Sequence, residues 1–176
     1  MDLSEMIVQL ASDIAIPGWR LIFAVGVLLG AWYTVSVLVK LVRANTVPGQ
    51  PQMTVGDVLP VLIIGAMVAN YADSLNAAWQ TFGTGSLSYG AINYPGASAF
   101  GPLAPAVNAV LTLAAMFGGF FGLKGLVLIR KANNGASTHG AEDYVWKGLG
   151  HLFGGAALAN IPRMIDAARA SLHLVW

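Results

Sequence analysis

Asp73 and Arg163 are the two charges whose positions most need a chemical explanation. Each lies at the far end of an apolar segment, Asp73 in VANYADSLNAA and Arg163 in LANIPRMIDAA. An ionised group in such a setting is costly unless it is paired or reaches water. The two occupy matching places, so the expectation is that they face one another. Asn70 and Asn160 precede them by three residues each and are expected to hydrogen-bond between helices. The remaining candidates are basic. Lys40, Arg43, Lys124, Arg130 and Lys131 gather near two polar loops. There they can meet phosphates of lipid or nucleic acid, or simply fix orientation in a membrane. The three histidines, His139, His151 and His173, are too scattered for a recognisable metal cluster, and there is no cysteine. No nucleophile elbow, phosphate-binding loop with its lysine or His-Glu-x-x-His is present. The sequence therefore predicts no catalytic residue, no metal and no cofactor.

The elements that carry these groups are unusually greasy. Of 176 residues 56% are apolar and only 10% are charged, against about 25% in ordinary soluble domains. So few charges cannot cover a water-facing surface. The net charge of +1 gives no global basic signal for nucleic acid. The opening MDLSEMIVQLASDIAIPGW carries Asp2, Glu5 and Asp13 where a secretory leader carries Lys or Arg. Its residues 3–16 predict a short amphipathic helix, ended by Pro17-Gly18, with Trp19 and Arg20 as an interfacial anchor.

Four long helices are expected to follow. Leu21 to Val39 is charge-free and long enough to span hydrocarbon. A second helix runs from about Val55 to Trp79, with Pro60 tolerated in its first turns. Residues 80–102 contain no charge and read as an ordered or interfacial loop, with Tyr89, Tyr94 and Phe100 at headgroup depth. Leu103 to Leu123 is the next charge-free span. A weaker fourth helix begins near Tyr144 and runs to Ala159 or beyond, leaving an amphipathic tail.

The segments repeat. GAMVANYADSLNAA (65–78) and GAALANIPRMIDAA (155–168) are identical at six of fourteen positions, at an offset of 90. Upstream, LVRAN (41–45) matches IRKAN (129–133) at an offset of 88, and Gly30 matches Gly118 at that same offset. The predicted fold is all-α and integral to a membrane: two tandem helical hairpins related by a parallel internal repeat. The organisation is one domain over 1–176, made of the N-terminal helix and first hairpin (1–79), the uncharged loop (80–102), and the second hairpin with its tail (103–176). Small residues four apart, at Gly26 and Gly30, Gly118 and Gly122, Gly150 and Gly154, together with Gly65 and Gly155, predict close helix packing within or between subunits. Six basic residues lie in or beside the hairpin loops; three others lie on the opposite side with five acids. The positive-inside rule puts the loops in the cytoplasm and both termini outside.

HLFGGAALANI (151–161), ADSLNA (72–77) and the apolar hairpins resemble the IcmC/DotE and TraQ-like membrane proteins of type IVB secretion and IncI-type conjugation systems. The resemblance implies a structural part of a bacterial inner-membrane machine that moves DNA or protein. Each half is also similar to a conjugative pilin, a two-helix hairpin that leaves the inner membrane to polymerise into an extracellular tube. That likeness implies self-assembly as a homo-oligomer or helical polymer, with phospholipid as a structural ligand and the five basic residues facing lumen lipid or DNA. Partners would be other machine subunits and transient cargo. A small channel, holin or transporter-like protein is the alternative.

Overall fold

The computed structural model describes residues 2–50, 52–133 and 140–173. Its elements among these residues are helical: α1 (Leu3–Thr46), α2 (Val55–Ala69), α3 (Tyr71–Gln80), a 3-10 segment (Pro95–Leu103), α4 (Ala104–Asn133), α5 (Ala141–Ala159) and α6 (Ile161–Ser171). His139 lies outside the described residues.

α1 starts where chemistry favours it. Asp2 caps it: its carboxylate accepts from the Leu3 N–H, and the Glu5 side chain reaches back to the Asp2 N–H. The helix then runs unbroken for 44 residues, so the separate N-terminal helix expected from the sequence does not exist. Pro17 removes one backbone hydrogen bond, a defect worth about 3 kcal/mol in a helix interior. Packing carries the helix through it: Ala15, Gly18 and Trp19 are buried on the inner side while Pro17 faces outward. Trp19 is 2% exposed rather than an interfacial anchor. Its ring packs on Phe23 and edge-on to Tyr89, with centroids 5.7 and 4.9 Å away.

α1 and the stretch Pro95–Asn133, which joins the 3-10 segment to α4, are long and apolar enough to cross a membrane by length and composition. The second expected helix is broken: α2 and α3 meet at Asn70 with a bend of 94° and would count as one further span only together. α5 has 19 residues and carries Glu142, Asp143 and Lys147, and is not among the candidate spans. The break in the second half falls at Asn160. Asn70 and Asn160 have similar backbone angles, φ −100° ψ 50° and φ −117° ψ 41°. Pro162 explains the second break, because a residue without an N–H belongs in a helix's first turn and not its interior.

The core runs along the inner faces of α1 to α5, centred on Trp19, Ile22, Val68, Tyr71, Leu75, Leu126, Leu152 and Ala156. α1 and α4 lie side by side and parallel, since Trp19 meets Gly119 and Tyr33 meets Arg130 further along both.

Residues 81–94 are held by side-chain acceptors, which satisfy a backbone that has no ladder of its own. The Leu87 N–H donates to Asn76 Oδ1 at 2.9 Å, Ile92 to Thr112 Oγ1 at 2.9 Å, and Tyr94 to Asn108 Oδ1 at 3.0 Å. Tyr89 and Tyr94 point inward, contrary to the headgroup position expected of them. The Tyr89 hydroxyl donates to the Ala72 carbonyl at 2.7 Å, and Tyr94 is buried. Phe100 stays exposed.

Candidate functional site

The small residues form two close helix contacts of matching design. In the first half, a Cβ placed on Gly30 would lie 2.5 Å from the Gly65 carbonyl oxygen and 2.6 Å from the Ala69 nitrogen. In the second half, a Cβ on Gly118 would lie 2.6 Å from the Gly155 oxygen and 2.5 Å from the Ala159 nitrogen. No side chain fits at either point. Gly30 and Gly118 are the residues matched at an offset of 88; Gly65 and Gly155, and Ala69 and Ala159, are matched at 90. Contact order reverses along each pair: Gly26 meets Val68, whereas Thr34 meets Gly65; Gly118 meets Ala159, whereas Gly122 meets Gly155. Both pairs are therefore antiparallel.

The second contact is longer. Gly125 and Gly148 approach so that a Cβ on Gly125 would sit 2.6 Å from the Gly148 oxygen. Gly122 also faces Tyr71 and Leu75, where α3 crosses α4. The Tyr71 hydroxyl donates to the Gly119 carbonyl there, tying the two halves together. Gly148 and Gly125 were not singled out in the sequence, although each lies seven residues from a seam glycine (Gly155 and Gly118), a spacing that keeps them on one face. Conversely, Gly150 and Gly154 have no atoms within 4 Å of an added Cβ. They do not pack within the chain, because α5 turns its 148–152–155–159 face, not its 150–154 face, toward α4.

The basic residues divide. The antiparallel pairing brings the end of α1, the start of α2, the end of α4 and the start of α5 to one end of the molecule. Lys40, Arg43, Lys124 and Lys131 are exposed. Arg130 is not: it is 4% exposed, so the expectation that it faces a lumen, lipid headgroups or DNA is corrected. Its guanidinium carbon lies 5.2 Å from the centre of the Tyr33 ring, while Nε and Nη1 have no hydrogen-bond partner. Arg130 follows Leu126 by one turn on the inner face of α4, and packing of α4 on α1 takes its stem inward.

The polar groups at the opposite end do not pair as expected. Asp73 and Arg163 are not joined. Both are exposed, and the Arg163 guanidinium lies against Gly85. Gly85 has φ +79°, a conformation that glycine adopts without strain, and a side chain there would strike Arg163. Asn70 donates from Nδ2 to the Ala66 carbonyl of its own helix at 3.2 Å, not across helices. Asn160 is buried with its Nδ2 unpartnered. What the end does contain is a cluster the sequence did not reveal. The Tyr94 hydroxyl donates to Asp166 Oδ1 at 2.9 Å and accepts from Arg169 Nη1 at 3.4 Å. Asp166 and Arg169 are neighbours three apart on α6, and tertiary packing brings Tyr94 to them.

Beside that cluster lies a cavity of about 480 Å³, lined by Phe100, Val107, Leu111 and Ile165 with Tyr94 and Arg169. At the loop end a more open cavity of about 590 Å³ lies between Pro60 and Ile64 of α2, Ile129 of α4, and Val145 and Trp146 of α5. No group of three or more His, Cys, Asp or Glu side chains that could hold a metal occurs among the described residues. His151 is engaged locally, with Nδ1 2.7 Å from the Lys147 carbonyl oxygen and its ring against Phe121. No family model, curated protein or solved structure matches the chain.

Proposed function

We propose that the chain is an integral membrane scaffold: a non-enzymatic structural subunit of a bacterial conjugation or type IVB secretion apparatus, built from two hairpins that are copies of one ancestral unit. The observation that carries this reading is the pair of matching glycine contacts, Gly30 on Gly65 and Gly118 on Gly155. Helices pressed backbone to backbone by small residues, with large apolar side chains left outside, suit a solvent that is itself apolar. On α1 the outward side chains include Leu28 and Trp32, exposed at 70% and 69%. In water such a surface would aggregate; in lipid it is the ordinary exterior.

The same sidedness supports the topology. Lys40, Arg43 and Lys131 stand near the loop end, which the positive-inside rule assigns to the cytoplasm. The termini and the loop over 80–102 then face the periplasm. The role in a transfer apparatus comes from the resemblance of HLFGGAALANI and ADSLNA to known subunits. The open Gly150–Gly154 face of α5 supports assembly with further copies or other subunits.

Alkaline extraction and flotation of the full chain test the membrane assignment, and a reporter enzyme fused after Trp176 tests orientation. Retention in the floated fraction with a periplasmic reporter is the expected result. A chain released into buffer as a soluble monomer overturns the reading. Mass spectrometry of sheared surface filaments then separates a polymerising subunit, present in them, from an inner-membrane component, absent from them.

A further inference from the structure

Arg163 and Asp166 stand three residues apart on α6, a spacing at which opposite charges ordinarily attract each other. Here they do not meet. The Tyr94 hydroxyl donates to Asp166 Oδ1 at 2.9 Å, and the Arg163 guanidinium lies along the backbone at Gly85, where no side chain displaces it. No hydrogen bond or ion pair links the two among the described residues. Both instead line a cavity of about 360 Å³, set between α6 and the end of α3 with the turn that follows it. That volume falls within the roughly 300–1,000 Å³ of small-molecule sites.

The facing wall is aromatic and fixed without a ligand. Trp79 is buried, and its Nε1 donates to the Thr84 carbonyl at 3.2 Å. Phe82 packs edge-on to the Trp79 ring, with centroids 5.1 Å apart. Both rings line the cavity with Thr84. Arg163 and Asp166 are exposed, so a ligand arrives from solvent without a rearrangement.

Charge selects the class of ligand. A lone anion drawn to Arg163 also meets the Asp166 carboxylate, and a lone cation drawn to Asp166 also meets the guanidinium. Like charges brought together are penalised. A molecule that carries both charges satisfies both. Its carboxylate accepts two N–H groups from the guanidinium edge. Its ammonium donates to Asp166 Oδ2, the oxygen that the Tyr94 hydroxyl does not take. An aromatic side chain then covers Trp79 and Phe82. We infer that this cavity is a binding site for a free α-amino acid with an aromatic side chain. The site stands independently of the membrane scaffold proposed above.

The full chain, purified in detergent, is titrated calorimetrically with four compounds. L-Phenylalanine carries both charges and a ring. Phenethylamine lacks the carboxylate, 3-phenylpropanoate lacks the ammonium, and glycerophosphoethanolamine is a zwitterion without a ring. Wild type binds one phenylalanine per chain, about tenfold or more tighter than either singly charged analogue, equivalent to about 1.4 kcal/mol. Arg163→Gln removes the preference over phenethylamine. Asp166→Asn keeps an acceptor for Tyr94 and removes the preference over 3-phenylpropanoate. Ala167→Trp fills the cavity from an exposed wall and abolishes phenylalanine binding. Helix content by circular dichroism checks each variant, and the analogue series on wild type decides the charge question even where a variant does not fold. Failure of wild type to bind phenylalanine, or unchanged binding by Ala167→Trp, overturns the site. A preference that survives both charge variants overturns the roles of Arg163 and Asp166. Tighter binding of glycerophosphoethanolamine than of phenylalanine overturns the amino-acid assignment.

Discussion

The Arg130 guanidinium lies over the Tyr33 ring between α4 and α1, its carbon 5.2 Å from the ring centre, and the arginine is 4% exposed. A buried cation over an aromatic ring gains about 2 kcal/mol or more when desolvated. Two of its nitrogens nonetheless lack partners. Buried donors without a partner each cost about 1–3 kcal/mol, so the contact does not repay the burial of the charge.

Arg130→Met keeps the stem and removes the orphan donors. It is expected to leave thermal stability in detergent unchanged or raise it, by up to about 4 kcal/mol. Tyr33→Ala, which strands the charge and opens a cavity, is expected to destabilise by about 3–5 kcal/mol. A loss on Arg130→Met as large as that on Tyr33→Ala would show that the arginine has a partner or a role not accounted for.

The glycine contacts predict a sharp contrast along one helix. Gly155→Leu forces its side chain into the backbone of α4 and is expected to cost at least about 3 kcal/mol, beyond the ordinary range for overpacking. Gly118→Leu and Gly30→Leu behave alike. Gly150→Leu and Gly154→Leu meet open space and are expected to change subunit unfolding by less than about 1 kcal/mol. If those two variants instead dissociate an oligomer seen by crosslinking in membranes, the exposed face is the intersubunit seam. Unfolding curves and crosslinking yields read the two effects separately.

The uncharged loop is predicted to open one tether at a time. Asn76→Ala removes the acceptor of the Leu87 N–H, and Asn108→Ala removes that of the Tyr94 N–H. Each loss is expected to cost about 1–3 kcal/mol. Hydrogen exchange at the freed amide should quicken about tenfold for each 1.4 kcal/mol, with little change in the seams between the long helices.

Tyr94→Phe removes only the hydroxyl that joins Asp166 to Arg169. A hydrogen bond to a charged group contributes about 1.5–3 kcal/mol, so melting in detergent is expected to fall accordingly. A Tyr94→Phe protein with wild-type melting would mean that the cluster contributes nothing to holding α6 on the loop.

Much of the fold was legible as composition and spacing. So few charges favour helices, which satisfy their own backbone, and the long apolar stretches are of a length and composition that could cross a membrane. The apolar stretches inside α1 and α4, the positions of the polar loops, and the offsets of 88 and 90 could all be read without coordinates. Gly30 could be matched with Gly118 and Gly65 with Gly155 along the chain, but that Gly30 meets Gly65 and Gly118 meets Gly155 could not be read from it. Local sequence also marked Asn70 and Asn160, but as polar glue between helices; they stand where α2 and α5 end.

The sequence by itself determined which segments are helical and apolar and which glycines recur, because those depend on short-range periodicity and on the charge available to each stretch. Only the tertiary structure decided which face of α5 meets α4, that α1 passes through Pro17, that Arg130 is enclosed, and that Tyr94 reaches Asp166 and Arg169. The physical reason is that several faces of these helices are almost equally small and apolar. Their hydropathy cannot rank them, so the choice falls to shape: how closely two backbones approach, and which side chains the remaining space admits.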